Sequence, residues 1–168
     1  MKIKELLESI NSIPQLLWNS NPQIGWWEDS NKIRLYHGTD ILHLDSFAKD
    51  GLNRPDPKTG MYSFALEPFT ARAFATMGGE ARFLAAKSKA MVVPQDRRCA
   101  IVFDLPLSWV KQNMDHDLHG NDPEHKLRLR DRELYNNWNR GDQQYYQLCE
   151  IRVSTPVNSH FIIGYMIR

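Results

Sequence analysis

The sequence has little of what would place it in several large classes of protein. Its 168 residues hold two cysteines, Cys99 and Cys149. Two thiols do not make the framework of a disulfide-stapled secreted domain, and their scarcity suits a reducing compartment. No apolar run approaches the ~18 residues that a membrane-spanning helix needs. Charge of one sign is also missing. Lysine plus arginine total 21 and the acids 20, a net of +1. Without a global field, a charged partner has to be met by a local cluster. The opening MKIKELLESINSIPQLLW has a basic front, but Glu5, Glu8 and Asn11 interrupt any apolar core of a signal peptide. Its pattern argues against secretion and for a cytoplasmic protein. Internal repeats, low-complexity tracts and the alternating rhythm of a parallel βαβ fold are absent as well.

What is present reads as one globular domain over 1–168, with 42% hydrophobic residues and enough length to bury a core. Ile3, Leu6, Leu7 and Ile10 recur at helical spacing, which predicts a helix over 3–17 ended or kinked at Pro14. A polar, tryptophan-bearing connector follows up to residue 31. KIRLYH (32–37) reads as a strand bounded by Gly38. DGLNRPDPKTG is dense in Gly, Pro and Asp and reads as a loop. MYSFAL is a short strand. FTARAFATMGGEARFLAAKSKAM is alanine-rich and helical, with a break at Gly78-Gly79. CAIVFDL is a continuous apolar strand. The polar stretch 109–145 offers no clear pattern. QLCEIRV and HFIIGYMI close the chain as two strands separated by STPVNS. Short, irregularly spaced strands of this kind predict an α+β fold with an antiparallel or mixed sheet.

Three local signals carry chemistry. The first is Tyr36-His37-Gly38-Thr39 at a strand end. Histidine is a hydrogen-bonding group at neutral pH. The adjacent glycine lacks a Cβ, so a ligand can approach the backbone. The competing reading is a histidine before an ordinary turn. The second signal is Gly60-Met61-Tyr62-Ser63-Phe64 leading into Thr70-Ala71-Arg72-Ala73-Phe74. Tyr62 and Phe74 are suited to sandwiching a flat heteroaromatic ring, and the competing reading puts both in the core. The third is Glu150, set in the apolar strand around Leu148, Ile151 and Val153. A carboxylate there is costly unless paired or used. Alternation puts Glu150 and Arg152 on one face, so the competing reading is a surface ion pair.

In this order, the three signals resemble the His-Tyr-Glu class of ADP-ribosyltransferases, to which diphtheria toxin and the poly(ADP-ribose) polymerases belong. LYHGT, Gly51-Leu52, GMYSFALEPFTARAFA and CEIRVSTPVNSHFIIGYMI each look like a block of that family. They cover roughly 33–76 and 147–167, while 77–145 has no counterpart. The resemblance implies a split mixed or antiparallel sheet with flanking helices, and NAD as the substrate that supplies ADP-ribose. It implies that His37 hydrogen-bonds the ribose hydroxyls and that Gly38 clamps the nicotinamide carboxamide through its backbone. Thr39 and Ser63 join the cofactor-binding set. Tyr62 stacks on nicotinamide, Phe74 supplies a second face, and Glu150 meets the 2′-hydroxyl of the reacting ribose. His37, Tyr62 and Glu150 are then the catalytic set.

The related Arg-Ser-Glu class has candidates here in Arg34 and Ser63. Arg34 and His37 are three positions apart, however, and face opposite sides of a regular strand. The position two before Glu150 is Leu148, with Gln147 one further back. The acidic or amide residue common at that place in arginine-modifying enzymes is therefore missing. Two rival readings are a degenerate transferase fold that only binds a nucleotide or a partner, and chemistry like that of RNA 2′-phosphotransferases.

The acceptor is expected to be a macromolecule. Lys126, Arg128, Arg130 and Arg132 alternate with Leu127 and Leu129, and Tyr135, Trp138, Tyr145 and Tyr146 follow. A basic face beside stackable rings leans towards nucleic acid over protein. The competing reading is a solvated charged face. By analogy, a small stand-alone domain suits a bacterial toxin or phage effector. Asp115, Asp117 and Gly120 mimic a calcium loop, but Lys126 stands where glutamate is required. His116, His119, His125 and the cysteines follow no standard zinc spacing. No metal is expected.

Overall fold

A computed structural model of the chain describes residues 13–19, 31–75, 93–118 and 149–168. The expected helix up to residue 12, the connector, the Gly78-Gly79 break and the basic segment 126–132 lie outside the described residues. Six strands form one sheet: β1 (Gln15–Leu16), β2 (Lys32–Asp40), β3 (Tyr62–Ala65), β4 (Arg98–Pro106), β5 (Glu150–Val153) and β6 (Ile162–Ile167). Their order across the sheet is β1-β6-β4-β2-β3-β5. The β1–β6 pair is parallel and the others are antiparallel. Among the described residues three short α-helices accompany them: α1 (Leu44–Asp50), α2 (Pro68–Ala73) and α3 (Leu107–Asn113). The class is α+β with a mixed sheet, as the short strands predict. Among the described residues no helix is long and apolar enough to cross a membrane.

The central strands are continuous apolar runs because both faces are covered. On one face Ile33, Leu35, Ile101, Phe103 and Leu105 pack with Leu44 of α1 and Val110 of α3. On the other, Tyr36, Ala65, Ala100, Val102 and Met166 pack with Ala71 of α2. Removing one such side chain from water is worth roughly 1.5–3 kcal/mol, so these two layers hold the sheet. Register explains a charged exception. Arg34 sits directly opposite Asp104, and its Nε donates to Asp104 Oδ1 at 2.8 Å while Nη2 donates to Oδ2 at 3.0 Å.

Three boundaries differ from the expected ones. Residues 15 and 16 are strand, where helix was expected. The Tyr165 N–H donates to Pro14 O at 3.0 Å, and Pro14 cannot continue a helix. Strand β2 runs through Gly38 to Asp40, because β4 supplies ladder partners as far as Asp40↔Arg98. Helix α3 lies at the start of the stretch without a clear pattern; Leu107, Trp109 and Val110 turn its apolar side to the core.

Two features set up the site. First, β2 and β3 share a single register pair, Tyr36↔Ala65, and then diverge. Second, α2 lies directly on Gly38. Glu67 caps this helix, with Oε1 accepting from Thr70 N at 3.2 Å and from Thr70 Oγ1 at 2.7 Å, and Pro68 begins it. A Cβ at Gly38 would lie 1.7 Å from Ala71 O and 2.6 Å from Ala71 C. Gly38 is therefore required by backbone packing, besides any ligand. By contrast, Gly60 has φ +68 but open space around it.

The two glycines should respond differently to alanine. Gly38→Ala overpacks backbone against backbone and should cost about 3 kcal/mol, the upper part of the usual overpacking range. Gly60→Ala meets only left-handed strain, about 1 kcal/mol. Urea denaturation of both variants measures the contrast.

Candidate active site

The divergence of β2 from β3 opens a cavity of about 300 Å³. His37 occupies the fork. Its Nδ1 is 2.8 Å from Ser63 O. A carbonyl only accepts, so Nδ1 carries the proton and Nε2 of the neutral ring is an acceptor. Phe47 of α1 lies against the imidazole at 5.4 Å between centroids, and Phe64 presents an edge at 6.2 Å. Burial pushes the His37 pKa below its ordinary 6.5, and the Ser63 carbonyl pulls the other way. The ring is thus neutral at physiological pH.

Glu150 reaches the same cavity from β5. The sheet register sets Tyr36, Ala65 and Glu150 side by side on three strands. Ala65, the smallest of the three, leaves the space between the phenol and the carboxylate. Glu150 is 7% exposed, and its Oε1 accepts from Arg152 Nε at 2.8 Å. The ion pair expected from alternation is therefore formed, and the same carboxylate also lines the cavity. Burial pushes the Tyr36 hydroxyl up to about 12, against the pull of Arg34. It remains protonated and can donate.

Six of the seven residues singled out in the sequence line this cavity: His37, Gly38, Thr39, Ser63, Phe74 and Glu150. They come from three separated stretches of chain. Tyr62 is not with them. It alternates to the core side of β3, is 7% exposed, and packs in the large apolar cluster with Ile151 and Val153 of the neighbouring strand. The sandwich of Tyr62 and Phe74 is not formed in this geometry; among the described residues, the rings of Tyr36, Phe64 and Phe74 line the cavity. Arg34 is outside the lining too, held by Asp104 on the face opposite His37.

The lining also contains groups without an obvious sequence signal. Tyr36 stood inside the recognised motif, but only the β2–β3 register shows its position beside Glu150. Asp40 ends β2, accepting from Leu42 N through Oδ1 at 3.0 Å and from Arg97 Nη2 through Oδ2 at 2.6 Å. His43 Nδ1 lies 3.4 Å from Thr39 Oγ1. Arg54 and Asp56 come from the Gly/Pro loop. Among the described residues no three His, Cys, Asp or Glu side chains are grouped to hold a metal ion.

The site can offer a neutral histidine acceptor, a tyrosine donor, an oriented carboxylate and aromatic walls to a small, flat, hydroxylated ligand. A pH effect follows from His37. Its folded pKa is depressed, so the unfolded chain binds the proton more readily. The stability contributed by the neutral ring is complete above 6.5 and is lost as pH falls through the lower folded value. Two-dimensional NMR should find the His37 ring titrating below 6.5. His37→Phe should flatten the loss of denaturant stability on the acid side of that value; an unchanged acid slope would show that other groups cause it. In comparisons with known proteins, no family model, no curated protein and no solved structure matches the chain.

Proposed function

We propose that this protein is an NAD-dependent ADP-ribosyltransferase related to the His-Tyr-Glu class, acting on a macromolecular acceptor with nucleic acid favoured over protein. The observation that carries this reading is the convergence of His37, Gly38 and Glu150 on one cavity. The Tyr62 position departs from the class pattern, and Phe74 and Tyr36 supply the aromatic walls in its place. Arg34, tied to Asp104, is a poor candidate for the Arg-Ser-Glu alternative.

The chemistry fits the groups. Nicotinamide stacks on Phe74, and the Gly38 backbone meets its carboxamide. His37 Nε2 accepts from a ribose hydroxyl. The C–N bond to nicotinamide breaks and its electron pair neutralises the pyridinium, so no general acid is needed. Positive charge builds on the ribose, as in glycoside hydrolysis. The Glu150 carboxylate, already fixed by Arg152, stabilises that charge without reorganising. The acceptor nucleophile then bonds to the ribose C1 as its proton passes to the Glu150 carboxylate.

NAD should raise the melting temperature of the wild type and be converted to free nicotinamide in the presence of cell lysate. Glu150→Gln keeps the shape and should lower turnover ~10²-fold or more with little change in NAD affinity. His37→Ala should lose NAD binding, whereas Arg34→Ala should retain nicotinamide release at a temperature where it is folded. Absence of NAD binding by calorimetry sinks the assignment. NAD binding with full loss of turnover only in Arg34→Ala moves the protein to the other class. Binding without turnover makes it a nucleotide-binding module. Nuclease and protease digestion of the labelled lysate identifies the acceptor.

A further inference from the structure

Strand β5 carries a second charged group beside Glu150. Arg152 lies two positions further on, so the pleat sets both side chains on one face. Ser63 and Ala65 share that face across the ladder, through the pairs Ser63↔Arg152 and Ala65↔Glu150. Ser63, Ala65 and Glu150 line the cavity, and Arg152 stands just outside the lining. Its side chain is 24% exposed, against 9% for Glu150, so the cation covers the carboxylate from the solvent side. The backbone there is held on both edges. β3 pairs with one, and on the other Asp115 N donates to Arg152 O at 2.8 Å and Ser154 N to Asn113 O at 2.9 Å. Asp115 turns its own Oδ1 to the Asp117 N–H, at 3.0 Å.

The guanidinium is engaged on one edge. Among the described residues its side-chain bond is the one from Nε to Glu150 Oε1, at 2.8 Å. A guanidinium is a planar fork, and its end-on edge, made by the two Nη groups, matches a pair of phosphate oxygens. The acceptor has to bring its nucleophile to the ribose C1 beside Glu150. Whatever flanks that nucleophile therefore comes up against Arg152. Charge favours an anion in that place. Glu150 and Arg152 offset one another in the resting site. During transfer the ribose adds positive charge, and the acceptor's proton then neutralises Glu150 and removes the counter-ion of Arg152. A phosphate on the Nη edge offsets the excess at both stages, and more in the transition state than before it. In a nucleic acid strand a backbone phosphate accompanies every base and sugar; an ordinary protein side chain brings none.

We propose that Arg152 selects the acceptor: its Nη edge receives the backbone phosphate next to the acceptor nucleophile while Nε stays on Glu150, so that ADP-ribose goes to a nucleic acid strand in preference to water or a protein side chain. The inference rests on the NAD reading above. Arg152 is a specificity residue besides holding Glu150, and no bond is made or broken at it.

The test uses the full chain, NAD labelled in its adenylate half, and mixed-sequence single-stranded DNA and RNA oligonucleotides, each with phosphodiester or with uncharged methylphosphonate linkages. The quantity read is label on the oligonucleotide relative to free ADP-ribose formed with water. In the wild type this ratio should be about tenfold or more higher on phosphodiester, the range for a hydrogen bond to a charged group. Arg152→Gln, which can still donate to Glu150, should erase most of that preference. Arg152→Lys, with a point charge in place of the fork, should keep part of it. Loss of one phosphate contact in Arg152→Gln should also flatten the salt dependence of oligonucleotide use by about one unit of log–log slope. A residue that only holds Glu150 would lower transfer and reaction with water together and leave the linkage preference as in the wild type; that result overturns the role. A wild type that labels both linkages alike, or that binds NAD and labels neither oligonucleotide, overturns it too and leaves NAD binding standing. Failure of the wild type to bind NAD by calorimetry overturns the NAD assignment itself, and this inference with it.

Discussion

The cavity side of the molecule depends on how closely a helix can approach a strand at one residue. With hydrogen in place of a Cβ at Gly38, the Ala71 carbonyl and the Ala75 N–H of the α2 segment come against β2. That contact carries Phe74 to the cavity wall and seats Glu67 beneath the sheet, where its carboxylate, 0% exposed, holds the first turn of the helix. A larger residue at 38 would lift α2 and move Phe74 away from His37 and Glu150. The glycine thus serves two demands at once: close packing behind the strand and open backbone towards the cavity.

Around that contact, the chemistry is set by pairs whose partners lie far apart in the chain. The Ser63 carbonyl fixes the His37 tautomer, Arg152 orients Glu150, Asp104 removes Arg34 from play, and Arg97 neutralises Asp40. Each pair satisfies a half-buried polar group that would otherwise cost free energy. Preorganisation of this kind is what the proposed transfer would require, because the groups are already aligned before charge develops.

Much of this was legible in the residues. The apolar run around Ile101 identified the central strand, and the pleat separated Arg34 from His37. Alternation also foresaw the Glu150–Arg152 pair. What it could not foresee was that this ion pair and a cavity position coexist, because that depends on which strand lies next to β5. The core-side position of Tyr62 is hidden in the sequence for a related reason. A four-residue strand can show either face to a ligand, and the pairing of Ser63 with Arg152 and of Ala65 with Glu150 turns Tyr62 to the core. The short strand at Gln15–Leu16 was hidden because the residues before it are helical in period, while its extended form comes from pairing with β6, more than a hundred residues away.

The single register pair between β2 and β3 has a mechanical consequence. The sheet is two ladders, β1-β6-β4-β2 and β3-β5, stitched at Tyr36↔Ala65 and by the imidazole bridge from His37 to Ser63. A seam with so few main-chain bonds is where amide hydrogens exchange through local opening at less than the global cost. A molecule lodged in the wedge touches both ladders and resists that opening. Occupancy and rigidity are therefore the same event at this seam, and protection of the Ser63–Ala65 amides reports on both.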